Sequence, residues 1–381
     1  MPVAPQRVHV RPAYRVLHSF CSIASCKDGA YPVANLINLS GTLYGTASYA
    51  GADCSSGENC GTVFAITMSG KAHVLHSFGG SGDGHYPDAG LLNVNGSLFG
   101  ATGFGGGPEC PRSGGCGTVF AIATSGTETV LYSFEGRKSR DGANPYAGLI
   151  NINGALYGTT AFGGAHDGSG TVFAIMTSGA ERVVYSFKGG SGDGATPFAG
   201  LINVNGTLYG TTDEGGANGD GTVFSITPSG TETMLYSFKG GSGDGEYPRA
   251  GLIDVMGTLY GTTDEGGAND DGTVFSITPS GTETMLYSFK GGSGDGASPY
   301  AALLNVNGML YGTTADGGTN GKGTVFSITP SGTETVLHSF AGGKRDGKSP
   351  VAGLLNVKGT LYGTTEYGGA SDDGTVFSLS L

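Results

Sequence analysis

The sequence has no run of eighteen apolar residues, so no helical segment of it is able to cross a bilayer. It is short of positive charge: 19 Lys and Arg stand against 31 Asp and Glu, a formal net charge of -12. Nucleic acid and anionic membrane surfaces both require basic patches, so neither is an expected partner. The opening stretch, MPVAPQRVHVRPAYRV, lacks the apolar core of a signal peptide, and the expectation is a chain read without its leader. Cysteine is scarce and falls in three close pairs, Cys21/Cys26, Cys54/Cys60 and Cys110/Cys116. Structural metal sites use Cys-x2-4-Cys pairs assembled in fours with His, a pattern that these pairs, two of them wider, fit poorly. Three disulfides local to their loops are the expectation. They imply an oxidising compartment, hence a secreted or cell-surface protein.

What the chain has in excess is glycine, 75 residues in 381. There is no Gly-X-Y period, which excludes collagen, and the glycines keep fixed offsets, which marks them as turn residues. Those offsets belong to a repeat. The stretch 208–238, LYGTTDEGGANGDGTVFSITPSGTETMLYSF, returns almost letter for letter at 259–289 and more loosely at 310–340. Tyr209, Tyr260, Tyr311 and Tyr362 stand 51 residues apart, and Tyr44, Phe99 and Tyr157 mark the earlier, wider units. A period near 50 residues means one supersecondary unit per repeat, stacked or set in a ring.

Within a unit, AGLINVNG (199–206) reads as a strand ended by an Asn-Gly turn, a dipeptide that tolerates the positive φ of a two-residue hairpin. TLYGTT, TVFSIT and TETMLYSF follow as three more strands, here named A to D in order. The chain starts in a D strand (15–20) and stops after a C strand (375–381), so the last unit has A, B and C and takes D from the opposite end of the chain. The predicted fold is all-β: a single seven-bladed propeller of four-stranded antiparallel blades, closed by the N-terminal strand. The blades span 33–78, 88–134, 146–187, 198–238, 249–289, 300–340 and 351–381 with 15–20, after a tail of residues 1–14.

The phrase order PFAGLINVNG, TLYGTTDEGG, DGTVFSITPSG resembles the kelch repeat, and more specifically the GloVer-type (choice-of-anchor) tandem repeat, GG-x4-GTVF-x-ITPSG-x4-LYSF. The resemblance covers residues 15–381. It implies a secreted bacterial protein, often with a C-terminal surface anchor; the sequence here ends at Ser380-Leu381 without one. It transfers no catalytic motif. The Tyr-Cys copper site of a kelch-like oxidase has no counterpart in the Cys and His context of this chain, and GGSGDG matches a calcium-binding nonapeptide only in part. No cofactor and no metal are expected.

Positions that repeat read as scaffold. The Asp of Asp-Gly-x-x-Pro (Asp28, Asp83, Asp141, Asp193, Asp244, Asp295 and Asp346) is expected to bond its own turn. The Ala of strand A (Ala199 and its equivalents) is expected to let seven backbones crowd at the axis. His18, His76 and His338 replace the Tyr of LYSF and read as packing residues.

Positions that break the repeat read as function. Outside the repeated phrases lie Tyr14 and ten aromatics that all fall in D-to-A or B-to-C loops, which emerge on one face. The residue after Asp-Gly-x-x-Pro differs from blade to blade: Val33, Asp88, Tyr146, Phe198, Arg249, Tyr300 and Val351. These are predicted to ring the mouth of the central channel. Beyond strand B, four blades carry Tyr367, Tyr49, Phe104 and Phe162, and the other three carry Glu214, Glu265 and Asp316. The predicted ligand-binding set is Tyr49, Asp88, Phe104, Tyr146, Phe162, Phe198, Arg249, Tyr300 and Tyr367. A glycan-binding module fits it, because aromatic faces stack on sugar rings and carboxylates accept hydroxyl hydrogen bonds. A carbohydrate-active enzyme is the alternative, using Glu214, Glu265 and Asp316 as acid and base or His85, Tyr86, Tyr247 and Arg249 as in a lyase. A protein-interaction scaffold is the third. A monomer with a glycan or other small-molecule ligand is expected.

Overall fold

The computed structural model describes residues 13–52, 54, 60–79, 82–107, 115–136, 140–166 and 168–381. Seven four-stranded antiparallel sheets follow one another along the chain, with no α-helix among the described residues. In blade four the strands are Ile202–Val204, Thr207–Thr212, Thr222–Ile226 and Glu232–Ser237, paired in that order from the axis outward. The A-to-B hairpin turns where the pattern placed it. Asn205 and Gly206 take φ of 52° and 87°, and the Asn203 side chain accepts the Gly206 N–H at 2.9 Å. In every blade the C-to-D register slips by one residue, as between Val223 and Phe224 in blade four. A bulge of this kind increases the twist that fans the sheet.

The ends of the chain meet as the sequence requires. Tyr14–Ser19 pairs antiparallel with Thr375–Ser380, and Phe20 donates its N–H to the Gly374 carbonyl at 2.9 Å. This strand begins at Tyr14, whose ring stacks on His338 of blade six at 4.0 Å.

Adjacent blades are joined by a seam that is repeated seven times. The Phe of LYSF in one blade packs edge-on against the Phe of TVF in the next, as Phe187 on Phe224, Phe238 on Phe275 and, closing the ring, Phe20 on Phe64. All of these rings are buried. Nearer the axis, the strand-B Thr donates to the strand-A Ala carbonyl of the following blade, as Thr211 to Ala250 at 3.0 Å and Thr364 to Ala34 at 3.4 Å. Blade two has Ala101 at this position and no hydroxyl to give. A close approach at the axis falls one residue after the repeated Ala: a Cβ on Gly200 would stand 3.1 Å from the Gly148 carbonyl oxygen of the previous blade.

On the outside of the seams the repeated Asp caps its own Gly in six blades, Gly29 donating to the Cys26 carbonyl in the seventh, and it does more than that. Its carboxylate also accepts from the D-strand Tyr or His that precedes it: Tyr185 to Asp193 at 2.8 Å, Tyr236 to Asp244 at 2.7 Å, and His18, His76 and His338 paired with Asp28, Asp83 and Asp346. The three histidines therefore take the place of a phenol in a structural clamp. Where His18 and Ser22 bond to Asp28, they overcome the cost of its burial and hold its carboxyl down at about 2.

Disulfides join Cys21 to Cys26 and Cys54 to Cys60. The expected pairing of Cys110 with Cys116 falls outside the description, because Cys110 is not among the described residues. No described helix is long and apolar enough to cross a membrane.

Candidate functional site

The D-to-A and B-to-C loops of each blade meet on one face. Gly194–Ala195 pairs with Glu214–Gly215, and the same two-residue ladder or a single bridge recurs in every blade. Just before each Pro stands a residue in the left-handed region, among them Tyr31, Tyr86 and Tyr247 with φ between 53° and 56°. A non-glycine residue holds that conformation only where neighbours over-determine it. Here they do. Tyr247 donates its N–H to the Asp220 carbonyl, and its own carbonyl accepts the N–H of Asp264. The same pair of bonds recurs at all seven rim positions. Each fixes the side chain after Pro beside the end of strand B, and so sets the mouth of the channel.

The mouth is a basin of about 600 Å³ lined by Val33, Asp88, Tyr146, Phe162, Phe198, Arg249, Tyr300 and Val351. Seven of these eight are the residues after Asp-Gly-x-x-Pro, one from each blade. Below it the channel is walled by strand-A backbones from all seven blades.

Two polar clusters sit in the basin, and both join the residue after Pro to the strand-B end of the previous blade. In one, Arg249 Nε donates to Asp213 at 2.9 Å while its Nη1 reaches Asp264 at 3.0 Å and the Tyr300 hydroxyl at 3.1 Å. Burial opposes the Arg249 charge, but the hydrogen bond and charge of Asp213 prevail and its pKa is raised. Asp213 and Asp264 are themselves raised, chiefly by burial, since one guanidinium faces two carboxylates. Burial and the Asp264 charge push the Tyr300 hydroxyl up to about 12. In the other cluster the Ser48 hydroxyl donates to Asp88. Desolvation deep in the mouth pushes Asp88 up to about 6; Ser48 opposes this and the Glu366 charge adds to it.

Around the rest of the rim the aromatics touch in sequence. Tyr367, Tyr31, Tyr49, Tyr86, Phe104, Tyr146 and Phe198 follow one another with ring centroids 4.8 to 6.3 Å apart, and Phe162 lies against Phe198 at 6.5 Å. Each ring is partly exposed. On the opposite side Arg249 lies between the Tyr247 and Tyr300 rings, 5.9 and 5.4 Å from their centroids.

Of the expected ligand-binding residues, Asp88, Tyr146, Phe162, Phe198, Arg249 and Tyr300 converge on the basin, while Tyr49, Phe104 and Tyr367 extend the aromatic rim away from it. The residues proposed for catalysis are spread around the rim, with Tyr247 against Arg249 and Glu265 near both. Arg249 alone among them lines the basin. Glu214 is exposed and shares a rim pocket with Tyr247. Asp316 lies in another pocket with Tyr31, Tyr367 and Lys348. Glu265 is paired with Glu246, and His85 with Phe104, each in its own blade's small ladder. Sequence reasoning passed over Ser48, Asp213, Asp264 and Glu366 as site residues. Their signal was available: each directly follows strand B, one place before the variable B-to-C loop residue.

A model of the Gloeobacter/Verrucomicrobia repeat matches residues 7–224 and 202–381. No curated protein matches by sequence. Among solved structures, the chain is similar to a GH93 alpha-L-arabinofuranosidase of Fusarium graminearum, solved with arabinobiose: 13% identity, 96% of this chain and 97% of that one covered, TM-score 0.50. It is similar to the periplasmic gluconolactonase of Pseudomonas aeruginosa at 15% identity, with 86% and 93% covered and a TM-score of 0.50. It is also similar to a puromycin hydrolase at 12% identity, with 93% of this chain and 53% of that one covered and a TM-score of 0.52. At these identities the likeness is one of fold.

Proposed function

The chain belongs to the Gloeobacter/Verrucomicrobia repeat family, and from that premise we propose that it is an exported carbohydrate-binding propeller whose ligand lies in the basin at the channel mouth. The observation that carries this reading is the composition of one cavity. Tyr146, Phe162 and Phe198 offer ring surface, flanked by the Asp88 carboxyl on one side and by Arg249 and Tyr300 on the other, which offer donors and acceptors. A pyranose or furanose has an apolar face and a rim of hydroxyls, and it is recognised by that combination. Two propellers of the same fold are named for acting on sugars, which supports the choice of carbohydrate as ligand class. The two local disulfides support export.

A glycan array followed by calorimetric titration tests the reading. Replacing Tyr146 or Phe198 by Ala is expected to weaken the best glycan about tenfold, the loss of roughly 1–2 kcal/mol at a buried aromatic anchor. Asn205→Gly on the opposite face is expected to leave affinity unchanged. Wild-type affinity in both aromatic variants, with the fold intact, overturns the assignment of the basin.

A second reading, turnover of the bound glycan, draws on Asp88. A carboxyl pushed up to about 6 is substantially protonated in mildly acidic medium, and the Glu366 carboxyl, itself raised by burial, stands near it. A carboxyl that keeps its proton in this range is what general acid catalysis requires. Reducing-end release from the array's best ligand, lost in Asp88→Asn with binding retained, distinguishes catalysis from binding alone.

A further inference from the structure

Outside the mouth, three side chains meet at each seam: the D-strand Tyr or His of one blade, the linker Asp that follows it, and the first residue of strand D in the next blade. The last position is set by register, being the residue opposite Ile66, Ile122, Ile175, Ile226, Ile277, Ile328 or Leu379. Four seams carry Tyr, Asp and Glu, as in Tyr185, Asp193 and Glu232. Two carry His and Asp without Glu: His18 and Asp28 face a blade with Ala72 at the third position, and His338 and Asp346 meet Tyr14. One seam, between blades one and two, combines all three ligand types in His76, Asp83 and Glu128.

His76 Nε2 is 3.1 Å from Asp83 Oδ2, and one ligand atom from each of the three residues lies within 4.8 Å of the other two. Glu128 Oε1 is buried and has no hydrogen-bond partner. The same oxygen is orphaned at three of the Tyr seams, so what distinguishes this seam is the imidazole that stands opposite it. We propose that this seam is a binding site for a divalent transition-metal ion of the zinc type, held by His76, Asp83 and Glu128. One imidazole with two carboxylates neutralises a doubly charged cation and supplies the satisfied partner that Glu128 lacks. Three protein ligands leave a position open to water. The imidazole favours zinc over magnesium or calcium, which prefer all-oxygen sites. The trio is scattered over 52 residues and two blades, so it has no motif in the sequence. The cation would fasten blade one to blade two at their outer edge.

The ring supplies its own control variants. His76→Tyr recreates the side chain of four other seams, and Glu128→Ala recreates the residue that blade one carries at the same position. Both are therefore compatible with the fold, and Glu128→Gln adds a change that preserves shape. The full chain, stripped with chelator and desalted, is titrated with zinc chloride by calorimetry and its metal content counted by mass spectrometry. One zinc per chain is expected, with affinity at least about tenfold weaker in all three variants, the lower end of what even an outer-shell change costs. Magnesium chloride is expected not to compete. Absence of zinc from the wild-type chain overturns the proposal. So does binding of equal strength in the variants, which would place the ion elsewhere.

Discussion

The seams and the mouth are built from the same seven units, yet they use the repeat in opposite ways. At the seams, near-identical contacts are copied around the ring: Phe on Phe and Tyr or His to Asp at all seven, and Thr to the Ala carbonyl at six. At the mouth, seven equivalent positions hold Val, Asp, Tyr, Phe, Arg, Tyr and Val. A ring closes only if its joints together turn through a full circle, so a seam admits little variation. The mouth transmits no such constraint, because the left-handed residue and Pro before each position already fix its backbone. Stability is thus distributed over the circumference, and variation between the units is concentrated at the axis.

The sharpest way to break this division is to remove one joint entirely. Deleting residues 1–20 strips strand D from blade seven together with Phe20 and its contact with Phe64. The ring opens, and a large loss of thermal stability with weakened cooperativity is expected by calorimetry. An unchanged melting temperature would show that the N-terminal clasp does not hold the ring.

A single seam can be weakened instead. Phe238 is fully buried between blades four and five, and Phe238→Ala is expected to cost about 3–5 kcal/mol in denaturant unfolding. Affinity at the mouth, measured on the protein that remains folded, should be unchanged. If the variant also lost ligand, seams and mouth would not be separable.

The smallest effect is a pH slope that belongs to the seams. Glu181, Glu232, Glu283 and Glu334 are each pushed up to about 7, by burial first and then by the linker Asp beside them. A carboxyl whose folded value is raised favours the folded state while it is protonated. That contribution is full below the ordinary Glu value near 4.5 and is lost as pH rises through about 7. The melting temperature is therefore expected to fall between pH 5 and pH 8, and Glu232→Gln to reduce the slope. A slope that is flat, or unaltered by the substitution, would remove these carboxyls from the account of the seams.

The ring was legible in the sequence because nearly every contact in it is local or made to the next unit. A 51-residue period, an Asn-Gly turn in each of several units, and a D strand missing from one end and present at the other specify blades, hairpins and closure without knowledge of any distance. The residues that would surround the mouth were legible for the same reason, since a position that leads into the innermost strand must face the axis. Their partners were not. Arg249 lies between Asp213 and Asp264, Asp88 takes its hydrogen bond from Ser48, and Glu128 reaches a seam that also holds His76 and Asp83. Each of these groups joins side chains from adjacent blades that are far apart along the chain. Which atoms come within bonding distance depends on the tilt and twist with which one blade packs against the next, and packing of that kind is decided by the assembled ring rather than by the order of residues.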